Sequence, residues 1–328
     1  MKMESSLGDT RWTRRSADRS WAGVLTAVLF LFLLLVPVYA SQTDSPYVLL
    51  QFSRILVFAL AAVGLNLALG YGGMVSFGHA MYIGIGAYCV AIASHYGQDS
   101  GVAHLLLVLV VTALIAAPVG LIALRTQGIA FIMITLALAQ MFYFLAVGLK
   151  QYGGDEGLPI RQLSQFGGLT GSPVALYLAL LATLAVSLWL LRRLIRSRFG
   201  LILRACSMDA RRVRAVGTTP LGYQLLAYVF SAELCGLAGY FLANLTAFAS
   251  PAYMAWISSG ELIIMVLLGG ASTLVGPVVG AAGFLLLEEV LKGLTDHWMI
   301  IMGPIIVLIV LFLRNGLWGM VGTNKEGH

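Results

Sequence analysis

Charge is what this chain has least of. Only 10% of its 328 residues are Asp, Glu, Lys or Arg, against about 25% in soluble domains. Together with 59% hydrophobic residues and a mean hydropathy of +0.91, this excludes a water-soluble fold, which would lack the polar surface to cover its core. Cysteine is also scarce. Cys89, Cys206 and Cys235 are dispersed and odd in number, so neither a disulfide framework nor a metal-ligand spacing is present, and all three read as small packing residues. No Gly-x-x-x-x-Gly-Lys-Ser/Thr loop occurs, which removes the usual phosphate cradle. The pair Gly84 and Gly86 lacks the third glycine and the strand-turn-helix context of a dinucleotide fingerprint. Nor does a ladder of Asp, Glu and His at helical spacing run through the apolar stretches, which argues against a proton pump.

Long apolar runs are plentiful. A helix needs about 20 apolar residues to cross the hydrocarbon core, and candidates fall at 21–40, 47–69, 74–95, 102–124, 128–149, 173–195, 221–247, 258–275, 277–293 and 297–313. The fold class expected is an all-α polytopic membrane protein with about eight to ten transmembrane helices, some of them broken at glycine-rich points. Segment 21–40 ends in Val38-Tyr39-Ala40, which imitates a signal-peptidase site, but its apolar run is longer than a signal core and an uncleaved first helix is expected. Residues 1–20 are polar and mixed in charge and are expected to be a disordered tail.

The positive charge is unevenly placed. Eight arginines (Arg192, Arg193, Arg196, Arg198, Arg204, Arg211, Arg212 and Arg214) lie within 23 positions. With ten crossings and both termini inside, 16 of the Lys and Arg residues fall on the cytoplasmic side and only Lys150, Arg161 and Lys292 outside, Arg54 lying within a helix. Such a split is the positive-inside pattern. The net charge of +6 therefore reflects orientation and not nucleic-acid binding. The stretch 150–172, with Gly153, Gly154, Asp155, Glu156 and Gly157, is the longest external segment, read as an ordered turn or lid or as an ordinary connection.

Glycines cluster twice: Gly70, Gly72 and Gly73 ahead of Ser76 and His79, and Gly269 and Gly270 ahead of Gly276 and Gly280. Interrupted helices of this kind surround the route in many transporters, while Gly276 and Gly280 also form a small-xxx-small packing pair. Both readings stand at this level. Ionisable residues within apolar segments mark candidate sites. Here they are His79, Glu233 and Glu261. His79 either lines a polar path or hydrogen-bonds a neighbouring helix carbonyl, and Glu288 and Glu289 are expected near a helix end, reaching water.

The segment 197–217 is too charged to enter the bilayer. Its Ala and Arg content favours helix, and Gly217 followed by Pro220 is a helix stop, so a short cytosolic helix is expected with Ala205, Val213 and Val216 free for apolar contact. From charge alone, a lipid-headgroup anchor fits as well as a docking element.

Residue detail goes further. Arg204, Ala205, Arg211, Ala215 and Gly217, with Asp209 and Val216 as near matches, resemble in order the segment that enters a cleft on the ATPase in permeases of the branched-chain amino-acid ABC importer family. Ser207 replaces a usual arginine there, and Arg214 stands where an acid is common. Residues 64–80, with Gly84 to Tyr88, resemble the family's most recognisable block. Thr135 to Ala137 with Gln140, then Gly153 to Leu158, are similar to the next, and Val266 to Ala281 to the last. Coverage is about 47–320, and the M-type permease is the best match.

The resemblance implies the ABC importer permease fold over 21–320, with a coupling loop at 197–217 and cytoplasmic tails at 1–20 and 321–328. It also implies a transport subunit of a bacterial inner membrane with both termini in the cytoplasm, not an enzyme and with no cofactor of its own. ATP would be bound by two separate ATPase subunits, and a homologous second permease and a periplasmic substrate-binding protein would complete the assembly. Leucine, isoleucine or valine would be the cargo, urea, amides or aromatic acids being alternatives within the family. Coupling residues would be Arg204, Ala205, Asp209, Arg211, Ala215 and Gly217; the path candidates are Asn66, Gly72, Gly73, Ser76, His79, Thr135 and Glu261. An ATP-independent secondary transporter and an intramembrane enzyme built on His79 with Glu233 or Glu261 are the rival classes.

Overall fold

The computed structural model describes residues 9–43, 45–165, 172–295, 297–312 and 316–318. The expected tail 321–328 lies outside them. Among the described residues eleven α-helices follow one another: α1 (Asp9–Gln42), α2 (Pro46–Asn66), α3 (His79–His95), α4 (Gly101–Ala123), α5 (Ile129–Gly148), α6 (Pro173–Arg196), α7 (Arg198–Ala215), α8 (Pro220–Thr246), α9 (Trp256–Gly269), α10 (Gly276–Leu294) and α11 (Trp298–Phe312). α1 starts at Asp9, so residues 9–20 continue the first helix where a disordered tail was expected, and residues 1–8 are outside the described set.

Each of the ten apolar runs became a helix, but not all are equal. Six, in α1, α2, α4, α5, α6 and α8, are long and apolar enough to cross a membrane by length and composition. The run at 74–95 gives helix only from His79, and the run at 258–275 stops at Gly269. At 1.5 Å per residue the 14 residues of α9 reach about 21 Å, short of the roughly 30 Å hydrocarbon core. Positive φ at Gly270 (109°) and Ser272 (66°) turns the chain there, and α10 returns alongside.

Close approach makes this hairpin possible. A Cβ on Gly280 would lie 1.9 Å from the Met265 carbonyl oxygen, so backbone packs on backbone, as the small-xxx-small pattern requires. α8 is the central post. Its Ser231 Oγ donates to the Gly64 carbonyl at 2.6 Å and its Cys235 Sγ to that of Ala61 at 3.6 Å, tying it to α2. Buried Gly236 and Gly239 let α4 and α3 close against it. Apolar side chains left on the outside, such as Leu114 and Ile129, face outward from α4 and α5.

At the end of the molecule away from the arginines, the stretch 149–165 is ordered. Leu158 and Pro159 (β1) pair antiparallel with Phe248 and Ala249 (β2). Ser164 donates its N–H to Asn244 Oδ1 at 2.9 Å, and its Oγ is 2.8 Å from His104 Nδ1. Gln165 bonds through its backbone to Asp99 and Gly101. Residues 149–165 are thus hydrogen-bonded turns and a short strand tied to α4 and α8; residues 166–171 fall outside the described residues.

Candidate functional site

The arginine-rich segment forms α7, as its composition favours, and it leaves α6 at Ser197. Leu203 and Cys206 are buried while Met208 on the other face is 88% exposed. One feature was not foreseen. Asp209 has extended backbone (φ −159°, ψ 99°), so α7 is two helical pieces joined at a break. Asp209 caps the second: its Oδ1 accepts the N–H groups of Arg211 at 2.9 Å and Arg212 at 3.3 Å, and Oδ2 meets Arg212 Nε at 3.0 Å. Those two backbone donors, above all, hold its carboxyl below the ordinary carboxylate range.

The stop comes where expected. Gly217 (φ 86°) takes the left-handed conformation, its N–H donating to Arg214 O and that of Thr218 to Val213 O, which is the Schellman arrangement. Ala215, the last residue of α7, is exposed.

α7 rests on the first glycine cluster. There α2 passes into a π-helical turn, Leu67–Tyr71. The Arg204 guanidinium lies 5.2 Å over the Tyr71 ring, and a Cβ on Gly73 would stand 3.0 Å from Ser207 Cβ. The second glycine cluster is fastened to the same point. Asn66 Nδ2 donates to Thr273 O at 2.7 Å, Asn66 Oδ1 accepts from Ser272 N at 3.1 Å, and Ser272 Oγ donates to Gly70 O at 2.5 Å. Two glycine turns some 200 positions apart thus meet beneath the arginine helix.

A groove of about 340 Å³ runs beside this junction, lined in part by Gly73, Val75, Phe131, Ser207 and Arg211. Ala205, Met208, Asp209, Arg212, Val213 and Val216 border a second, open depression on the outer side of α7. The coupling candidates Arg204, Ala205, Asp209, Arg211, Ala215 and Gly217 therefore share one surface element, with Asp209 shaping it and Gly217 ending it.

Path candidates divide into three places. Gly72 and Gly73 belong to the first glycine turn, and buried Asn66 clasps the second. Ser76, His79 and Thr135 come together where residues 74–78 run unwound before α3 begins. Thr135 Oγ1 accepts from Phe77 N at 3.2 Å, Ser76 Oγ from Gly78 N at 3.2 Å, and Ser259 Oγ from Ala80 N at 3.2 Å. Unwound backbone inside a bilayer persists only when satisfied in this way.

His79 is fully buried, its ring set edge-on to Tyr228 (5.2 Å) and Tyr82 (6.0 Å). Neither ring nitrogen has a hydrogen-bond partner among the described residues, so the expected bond to a neighbouring helix carbonyl is not made. Tyr82 and Tyr228, joined through their hydroxyls at 3.2 Å, were missed in sequence; tyrosine hydroxyls within otherwise apolar helices are the signal that points to them.

Glu261 stands apart, on α9, in the field of Glu288, Arg54 and Lys292. Glu288 is not placed as its position near a helix end suggests. It does not reach water: it is buried and accepts from Lys292 Nζ at 2.5 Å and Arg54 Nη2 at 3.5 Å.

Comparison with known proteins gives this arrangement a context. Residues 47–311 match the family model described as branched-chain amino acid transport system / permease component. Two relatives are the high-affinity branched-chain amino acid transport system permease protein LivM of Salmonella typhimurium and of Escherichia coli. Each is 26% identical, over 290 and 295 residues respectively, with 81% of this chain and 68% of the relative covered in both cases. A third is the permease protein LivH of Escherichia coli, 24% identical over 293 residues, with 82% of this chain and 93% of the relative covered. With the match running from α2 to α11 and the helices arranged as described, this chain belongs to the family of branched-chain amino acid transport permease components and is a multi-pass, LivM-like membrane protein.

Proposed function

We propose that the chain is the membrane-spanning subunit of an ATP-driven importer of leucine, isoleucine and valine in a bacterial inner membrane. It pairs with a homologous second permease. Two ATPase subunits bind and hydrolyse the nucleotide, and a periplasmic binding protein delivers cargo to the end carrying β1 and β2. The observation that carries the reading is the seating of α7 on the first glycine turn, to which Asn66 and Ser272 fasten the second. A helix with a capped break, an exposed Met208 and a rim of arginines is shaped to sit in a cleft on another protein. Arg204 over Tyr71 and Ser207 against Gly73 connect it directly to the end of α2, and the Asn66 and Ser272 hydrogen bonds carry that connection on to the turn of the α9–α10 hairpin. Closure of the ATPase pair would push α7, and the turns beneath it would pass that displacement into the helices. The LivM and LivH relatives of Escherichia coli, each named a permease protein of a high-affinity branched-chain amino acid transport system, support a heterodimer.

The decisive experiment is reconstitution. Vesicles holding this chain and its sister permease should concentrate leucine only when the ATPase subunits and ATP are supplied; accumulation without them ends the proposal. Orientation has its own test. Ser207 is exposed on α7, so a Ser207→Cys variant should react with an impermeant thiol reagent from the cytoplasmic face alone, and labelling from the periplasm reverses the topology.

The cap makes a further prediction. Asp209→Ala should speed amide exchange at Arg211 and Arg212 and leave exchange in residues 198–208 unchanged. Because the Asp209 carboxyl is held below its ordinary value, its stabilisation is complete above the unfolded-state value and is lost only as pH falls through the lower folded-state one. Protection of the second helical piece should therefore persist into pH values where a free carboxylate is already protonated. Loss of protection above that range removes the capping role.

A further inference from the structure

The unwound segment between the first glycine turn and α3 is paired on one side only. Its depth follows from two of its hydrogen bonds. Thr135 Oγ1, which takes the Phe77 N–H, is six positions along α5 from Ile129, about 9 Å of helix. Ser259 Oγ, which takes the Ala80 N–H, is ten positions from Gly269 at the end of α9, about 15 Å. Residues 74–78 therefore climb from the arginine end toward the middle of a hydrocarbon core about 30 Å thick, with α5 and α9 beside them.

Most of the peptide groups in this climb have no partner. Among the described residues, the carbonyl oxygens of Met74, Val75, Ser76 and Phe77 accept no hydrogen bond, and the N–H groups of Val75 and Ser76 donate none. Val75 is exposed and Phe77 half-buried, so the chain itself does not seal the segment. Lipid cannot serve such groups: non-helical backbone persists at membrane depth only against protein or water.

The adjoining surface is apolar and open to close contact. On α9, Ile257, Gly260, Ile264 and Leu267 recur at helical spacing along one face, with Ile257 and Leu267 exposed and Ile264 half-buried. A Cβ on Gly260 would meet only the Phe77 ring, at 3.8 Å. That contact joins the stripe to the unwound segment and leaves room over the glycine for a second backbone. The stripe alone would suit lipid, but the bare peptide groups next to it would not. Water alone would suit the peptide groups, but not the stripe. A soluble subunit does not reach this depth. The occupant is therefore a membrane protein, and a homologous permease brings the same strip with it, as a two-fold contact requires.

We propose that Val75, Phe77 and the α9 stripe from Ile257 to Leu267 form the surface on which the second permease packs. The proposal deepens the importer reading above and rests on it. The groove beside α7 is a separate feature, lying at the helix ends.

Two measurements on the complete assembly test it. With a benzophenone amino acid in place of Ile257, irradiation of membranes should join the chain to the sister permease. The same probe in place of Val186 should give no such adduct, because Val186 is exposed on α6, which packs on α1, α2, α7 and α8 and away from α9. Adducts to lipid or to an ATPase alone at position 257, or equal joining from both positions, overturn the proposal. The second measurement uses Gly260→Leu. Its side chain has open space within this chain, so the variant should insert as the wild type does, yet co-purification of the sister permease should fall at least about tenfold as close approach is lost. Undiminished co-purification overturns the proposal, and if Gly260→Leu fails to insert, the adduct at position 257 decides it. A stable permease pair whose adducts arise elsewhere defeats this surface alone. A wild-type chain that never co-purifies with a second permease defeats the heterodimeric importer reading, and this proposal with it.

Discussion

Reversing Arg204 and Arg211 together to glutamate should abolish ATP-driven leucine uptake while the chain still inserts in the membrane. Both guanidinium groups are on the exposed element that we assign to the ATPase cleft. Arg204 is near the end of the first helical piece of α7 and also covers the Tyr71 ring, so its reversal strikes the docking surface and its seat at once. Arg211 is just past the break at Asp209 and lines the groove. Losing one member of a desolvated charge pair at an interface costs roughly 2–5 kcal/mol, so two reversals exceed a hundredfold in binding. The readouts are uptake into vesicles and co-purification of the ATPase subunits. Undiminished uptake by the double variant removes the docking role of α7. Arg193, near the end of α6 and stacked on Trp189 at 5.6 Å, supplies the control: its reversal should have little effect on ATPase retention.

The second large effect is expected at Asn66. This single amide holds both chain directions of the Ser272–Thr273 turn, donating to one carbonyl and accepting from one N–H, and it is 3% exposed. Asn66→Leu keeps a similar size but leaves Thr273 O and Ser272 N without partners. Ser272 is exposed and Thr273 half-buried, so water reaches the freed groups and the loss is that of two hydrogen bonds, roughly 1–3 kcal/mol of stability, measured as the unfolding midpoint in mixed detergent micelles. Asn66→Asp provides the internal check. It still accepts from Ser272 N but no longer donates to Thr273 O, and should fall between wild type and Asn66→Leu. If Asn66→Leu unfolds at the wild-type midpoint, the clasp between the glycine turns contributes nothing.

Different kinds of information produced the correct and the incorrect expectations. Apolar runs were readable because insertion into a bilayer depends on local composition: about 20 residues of sufficient hydropathy suffice, whatever they pack against. The end of α7 was readable for a similar reason, since Gly217 adopts positive φ without help from distant residues. The break within α7 was not. An aspartate among arginines reads as one more charged position on a helix, and only the hydrogen bonds to Arg211 and Arg212 distinguish a cap from a surface acid. The shortened start of α3 was signalled by the glycines at 70–73, but not what satisfies the unwound backbone at 74–78, since Thr135 reaches across to it from α5. Glu288 was misplaced for the same reason, its counter-ion Arg54 being 234 positions away.

By its sequence alone, this chain was committed to the membrane, to helices and to a charged segment at one end, because hydropathy, charge placement and helix stops act over a few residues. Tertiary structure decided which glycines turn and which pack, what fastens the two glycine turns to each other, and which carboxylate pairs with Arg54 and Lys292. Those outcomes depend on hydrogen bonds and charge pairs between residues far apart in the chain. Inside a bilayer each such group must find its partner in the fold, since no water is there to supply one.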